Sequence, residues 1–200
     1  MAPSGRYHHG NLREGLVSAA LCLVRTEGLA AVTTRACAHH NRVASSAVFR
    51  HFRNRRSLLT AVAAEGFRHL AARMEAAERS ADGDTRLLAI GHAYLGFARE
   101  EPHLFRLMYS GAELDLSDPD LMSTSDPLMS QTAAAIGADV APDDPRALLA
   151  WAIVHGLATL LLDSQLKGLV PDAPEARALV LDSVLRRALP VFGPATVPED

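Results

Sequence analysis

Apolar residues return every three to four positions along almost the whole chain, and strand-type alternation is nowhere sustained. Leu12, Leu16, Ala19, Ala20, Leu23 and Val24 form one such stripe. A 3.6-residue period of this kind places one apolar face along a helix. The period predicts an all-α protein of about nine helices, and 48 % hydrophobic residues supply enough material for a core.

Capping chemistry sets the expected boundaries. The first helix runs from about Leu12 to Glu27, with Asn11 as cap, Glu14 in the reciprocal position and Gly28 as the stop. The second follows Thr33 and reaches about His40, and after a short turn the third covers about Ala44–His51. Asn54 caps a fourth that extends from Arg55 to the high seventies. Further helices are expected over about 85–100, 103–110, 127–138, 145–167 and 173–191. Residues 80–84 read as a linker, Ser110–Ser130 as a loop or a poorly ordered start of a helix, and residues 194–200 as a loose tail.

Charge divides the chain unevenly. Residues 1–60 hold nine arginines against Glu14 and Glu27, a net +7, whereas residues 61–200 carry −10. A basic head on an acidic body points to nucleic-acid binding at one end. Within that head the second and third expected helices have helix-turn-helix proportions. Ala38 is small where two helices cross, Val43 follows the turn, and Val48 and Phe52 face the neighbouring helices. Ser45, Ser46, Phe49 and Arg50 are left on the opposite face, the one such a motif lays into the major groove.

The stretch TTRACAHHNRVASSAVFRHFRNRRSLL resembles the N-terminal domain of TetR-family transcriptional regulators, without gaps over residues 11–60. PHLFRLMYS and WAIVHGLATLLL are similar to a C-terminal subgroup named for its Trp-His-Gly signature, here Trp151, His155 and Gly156. The resemblance implies a DNA-binding domain over residues 1–56 and a ligand-binding and dimerisation domain over 57–200. It also implies that Arg35 can reach a guanine edge and that Thr34, His51 and Arg55 hold the phosphate backbone. Arg6, in the arm before the first helix, is expected in a minor groove or along the backbone. Three residues depart from the family pattern. Arg42 stands where a glycine usually adopts φ > 0, at a cost of roughly 1 kcal/mol unless Asn41 takes that conformation. Ala44 stands where a Ser or Thr usually caps the third helix. Phe49 replaces a more usual tyrosine and offers contact with a thymine methyl.

In the C-terminal body Phe97, Phe105, Met108, Tyr109, Met122, Met129, Trp151, His155 and Thr159 interrupt otherwise aliphatic helices. Together they are the expected lining of a cavity for a small organic effector. The residues over 148–162 are apolar nearly all round, and Val180, Leu181, Val184, Leu185, Ala188 and Leu189 form a second stripe. Two such helices per subunit predict a four-helix dimer interface. The N-terminus lacks an apolar signal region, and the run Ala147–Leu162 is shorter than the roughly 20 residues of a membrane span, so a cytoplasmic protein is expected. Cys22 and Cys37 are read as small buried hydrophobes. No metal, cofactor or enzymatic motif is read: adjacent histidines at 8–9 and 39–40 cannot share one ion, and His92, His103 and His155 are scattered. The expected function is a regulator, most simply a repressor, that binds a near-palindromic operator as a dimer. The alternative is an all-helical interaction module with a vestigial helix-turn-helix.

Overall fold

The structure, a computed structural model, describes residues 12–192, so Arg6, the arm before the first helix and the Asn11 cap lie outside the described residues. Among the described residues there are nine α-helices and no strand. They divide into two compact units. The first comprises residues up to Gly66 together with His103–Met122, and the second comprises Phe67–Pro102 and the residues from Ser123 onward.

In the first unit α1 spans Leu12–Glu27 and buries Leu16, Ala20, Leu23 and Val24, the stripe that its period sets out. Gly28 ends it at φ 84, a conformation open to glycine without a Cβ clash. A short 3₁₀ turn, Leu29–Ala31, leads to α2, Thr34–His40, whose first turn is closed by Thr33: its Oγ1 accepts from the Ala36 N–H at 3.0 Å. The turn that follows places Arg42 at φ 54 while Asn41 stays at φ −90. The left-handed residue is therefore the arginine, and the one-residue shift onto Asn41 does not occur. Asn41 has another task. Its Nδ2 donates to the carbonyls of Cys37 (2.9 Å) and Gly15 (3.2 Å), tying α2 to α1.

The third helix is shorter than expected. α3 is Ser45–Val48 alone, with Ala44 as a cap that supplies no side-chain bond. The segment continues as a tightened turn in which the N–H groups of His51 and Phe52 both reach the Val48 carbonyl, each at 2.9 Å. α4, Arg55–Arg79, opens on Asn54, whose Oδ1 accepts from the Ser57 N–H at 2.9 Å. Its residues as far as Gly66 belong to the first unit. α6, Pro102–Met108, approaches α4 so closely that a Cβ on Gly66 would stand 2.7 Å from Met108 Sδ. The burial of Cys37 matches expectation and raises its thiol pKa, but Cys22 is exposed on the outer face of α1.

The second unit is built from the remainder of α4, from α5 (Arg86–Glu100), from most of α7 (Pro119–Ile136), and from α8 (Pro145–Leu162) and α9 (Pro174–Ala188). Its core includes Met74, Leu88, Ile90, Tyr94 and Phe97, and Ala133, Val140 and Ala147 form a satellite cluster with Met129 and Ile136 packed on it. α7 decides between the two readings of residues 110–130, a loop or a poorly ordered start of a helix, since the chain is helical from Pro119. Asp118 starts a helix there by accepting from the N–H groups of Asp120 (3.0 Å) and Leu121 (3.1 Å), with Pro119 preset at its first position. Pro127 lies inside the helix rather than at its end. α8 stops at Leu162, short of the expected 167, because Asp163 closes it and Ser164 turns to φ 57.

Candidate nucleic-acid interface and ligand cavity

The short segment from Ser45 to Phe52 divides cleanly. Val48 and Phe52 are 0 % and 2 % exposed. Ser45, Ser46, Arg50 and His51 are exposed, and Phe49 is 56 % exposed despite being aromatic. The anchoring side is reinforced by Arg13, whose guanidinium lies 5.1 Å from the centre of the Phe52 ring. On α2 Arg35 is exposed and Thr34 half-buried. The expected reading residues of the first unit are thus each accessible, as are Arg42 and Arg53.

Arg55 is placed differently. Its Nε donates to the Val32 carbonyl (2.7 Å), one terminal nitrogen to the Leu29 carbonyl (2.7 Å) and the other to Glu113 (2.9 Å). Each guanidinium nitrogen therefore has a partner inside the first unit. Arg56 next to it donates to the Leu114 carbonyl, and Thr60 Oγ1 accepts from the Asp115 N–H at 3.0 Å. The start of α4 is by these bonds a clasp on residues 113–115. Sequence reasoning missed Glu113, Leu114 and Asp115, which lie in a stretch of loop composition with no periodic signal.

The second unit contains an apolar cavity whose walls include Met74, Leu88, Tyr94, Leu128, Trp151 and Leu185. Its open space is small, about 50 Å³. Tyr94 is 2 % exposed, and its hydroxyl shares a 2.8 Å hydrogen bond with His155 Nδ1. Trp151 stacks on the same imidazole, with ring centres 5.2 Å apart at 28°. Partial burial disfavours the imidazolium and lowers the His155 pKa below its ordinary value. A phenol, an imidazole and an indole therefore adjoin a wall that is otherwise largely apolar, with Met74, Phe192 and the hydroxyl-bearing Thr132 among its aliphatic residues. This suits a ligand with an apolar body and one hydrogen-bonding group.

The expected cavity residues are not all brought together. Trp151 lines the opening and His155 is bonded to a lining residue. Phe97 is core at 2 % exposure, Met129 packs on the satellite cluster, and the Thr159 hydroxyl donates back to the His155 carbonyl at 2.9 Å. Phe105, Met108, Tyr109 and Met122 belong to the first unit. There Phe105 and Tyr109 rings lie 4.9 Å apart, Met108 is buried and Met122 is 47 % exposed. Met74, Leu88, Leu128 and Leu185 give no signal in sequence because any buried helix carries such residues. Tyr94 could have been found: it precedes Phe97 by three positions and so shares its helix face.

Residues 16–62 match the family profile described as bacterial regulatory proteins, tetR family. Residues 87–184 match the profile described as tetracyclin repressor-like, C-terminal domain. Among solved structures, a protein of unknown function from Rhodococcus sp. RHA1 is 29 % identical with a TM-score of 0.73, over 94 % of this chain and 97 % of that one. A TetR-family transcriptional regulator from Streptomyces coelicolor is 21 % identical with a TM-score of 0.64, over 90 % and 99 %. A TetR variant from Acinetobacter baumannii AYE, solved in complex with minocycline, is 21 % identical with a TM-score of 0.62, over 90 % and 95 %. No curated protein matches the chain in sequence.

Proposed function

The chain belongs to the TetR family of bacterial regulatory proteins, and we propose on that footing that it is a cytoplasmic, ligand-responsive repressor rather than an enzyme. Regulators of this family bind DNA and small-molecule ligands and are typically homodimers. In the proposed arrangement residues 1–56 are the DNA-binding domain and 57–200 the ligand-binding and dimerisation domain. Arg35, Ser45, Ser46, Phe49 and Arg50 read base edges, and Arg6, Thr34 and His51 hold phosphates. Arg55 also meets a phosphate, through the two N–H groups that its three bonds inside the first unit leave over.

The observation that carries the reading is the division of one short segment into an exposed Ser45, Ser46, Phe49 and Arg50 and a buried Val48 and Phe52. Leu148, Leu149, Leu179 and Val184 are large apolar side chains that α8 and α9 leave exposed, and they support dimerisation through these two helices. A two-fold dimer presents its recognition segments about 34–36 Å apart, or a multiple of that, on a near-palindrome. The effector is proposed to occupy the cavity at Trp151. Its present space falls below the roughly 300 Å³ of ordinary ligand pockets, so an occupant must part the walls. The ligand then weakens operator binding by its differential affinity for the two states.

Selection of bound sequences from a random DNA pool tests the reading. A near-palindromic site with half-sites at helical-turn spacing is expected. Arg35→Ala and Arg50→Ala should each weaken binding to that site about 5- to 100-fold, the equivalent of a lost bidentate base contact. Unaltered titration curves in both variants, or no enrichment of any sequence, would refute it.

A further inference from the structure

The second unit contains a larger opening than the one beside Trp151. It lies between the C-terminal halves of α5 and α8 and the first half of α9, and its space is about 370 Å³, within the range of ligand sites. No residue lines both openings. Leu95, Leu161 and Leu181 form part of an apolar floor, while His92, Arg99 and Arg177 stand among its walls, and none of the lining residues is acidic. One sign of charge against an aliphatic floor selects for a ligand that joins an anion to an apolar body.

The two arginines are placed to meet an anion. Arg177 is braced on the turn before α9: its Nε donates to the Pro171 carbonyl and one terminal nitrogen to the Asp172 carbonyl, both at 3.1 Å, and that nitrogen also stands 3.5 Å from the exposed Asp172 carboxylate, a long contact that a ligand anion can replace. This fixes the guanidinium at the cleft without burying its charge. Arg99 has its nearest carboxylate, Glu100, at 3.8 Å, and that carboxylate is committed to Arg73 at 2.6 Å. Glu100 titrates below the usual carboxylate range chiefly because of its bond to Arg73, with a lesser pull from the charge of Arg99. At His92 the neighbouring Asp182 is likewise shared, accepting from His92 at 2.9 Å and from Arg186 at 2.7 Å.

Of the exposed apolar residues on α8 and α9, Leu148 and Leu179 lie away from the cleft, whereas Val184 shares the Leu181 side of α9. Leu179, 72 % exposed, and Leu181 are two residues apart, about 200° around a helix. Leu148 and Ala158 are ten residues apart, about 15 Å along the axis of α8. At roughly 30 Å³ for a water-sized group, the space holds about twelve non-hydrogen atoms.

We infer that this cleft is a second ligand site, distinct from the Trp151 cavity, for a monoanionic amphiphile of the fatty-carboxylate type. The inference does not depend on the DNA reading. Calorimetric titration of the full chain at low salt with decanoate, decanol and decyltrimethylammonium tests it. Decanoate should bind, with the alcohol and the cation at least about tenfold weaker. Arg99→Gln, an exposed change, should weaken decanoate about tenfold. Ala178→Phe, at another exposed lining position, should remove binding while leaving the fluorescence of Trp151 unaltered. Several outcomes overturn the proposal: no heat with decanoate at millimolar concentration, equal affinity for decanol, or binding that survives both substitutions. So does a change of oligomeric state with Ala178→Phe, which would make the cleft a contact between copies of the chain.

Discussion

Two single residues, one a departure from the family pattern and one that follows it, have measurable consequences. Arg42 holds φ 54 in the turn before α3, where its Cβ crowds the backbone. Arg42→Gly should therefore stabilise the protein by up to about 1 kcal/mol in urea denaturation, the strain relieved being offset in part by the greater freedom of glycine in the unfolded chain. An unchanged or lower midpoint would show that the turn carries no strain. His155 gives a pH dependence. Burial disfavours its imidazolium, so the folded state resists a proton that the unfolded chain accepts near the ordinary value of 6.5. Its contribution to stability is therefore fully present above that value and is lost as pH falls through the lower, folded-state pKa. Wild type should lose more stability between pH 7.5 and 5.5 than His155→Gln does, and denaturation at the two pH values measures the difference. The strained turn at position 42 was legible in the sequence because the residue type is wrong for it; the bond between Tyr94 and His155, which joins two helices distant in the chain, was not.

Among the elements, those with polar caps were the legible ones. α1, α2 and α4 begin and end where Gly28, Thr33 and Asn54 require. Removing one such cap should be costly: Thr33→Ala is expected to destabilise the protein by about 1 kcal/mol, read from the denaturation midpoint. No loss would mean that Ala36 finds another acceptor. α3 and α7 were misjudged for opposite reasons. α3 lacks a side-chain cap at Ala44, and the segment tightens after a single turn that hydrophobic period alone does not reveal. α7 contains two prolines and a polar first half, yet Asp118 and Pro119 make a competent start and Pro127 is accommodated within it. The clasp of Arg55, Arg56 and Thr60 on residues 113–115 is a tertiary arrangement, and nothing local marks it.

Over the whole molecule, all-α architecture and the basic head follow from period and charge, both of which are summed along the chain and survive errors at individual positions. The cavity was only partly legible, because walls are chosen by the packing of α4, α5, α7, α8 and α9, and aliphatic residues look alike wherever they are buried. α8 has the length and composition to tempt a membrane reading, and it leaves Leu148 and Leu149 55 % and 40 % exposed. Uncovered apolar side chains of this kind link folding to mass action: if a second copy shields them, the melting temperature must climb as the protein is concentrated, since an unfolding step that turns one dimer into two chains is opposed by higher concentration. Leu148→Glu should flatten that dependence, which thermal scans over a hundredfold range of concentration would reveal.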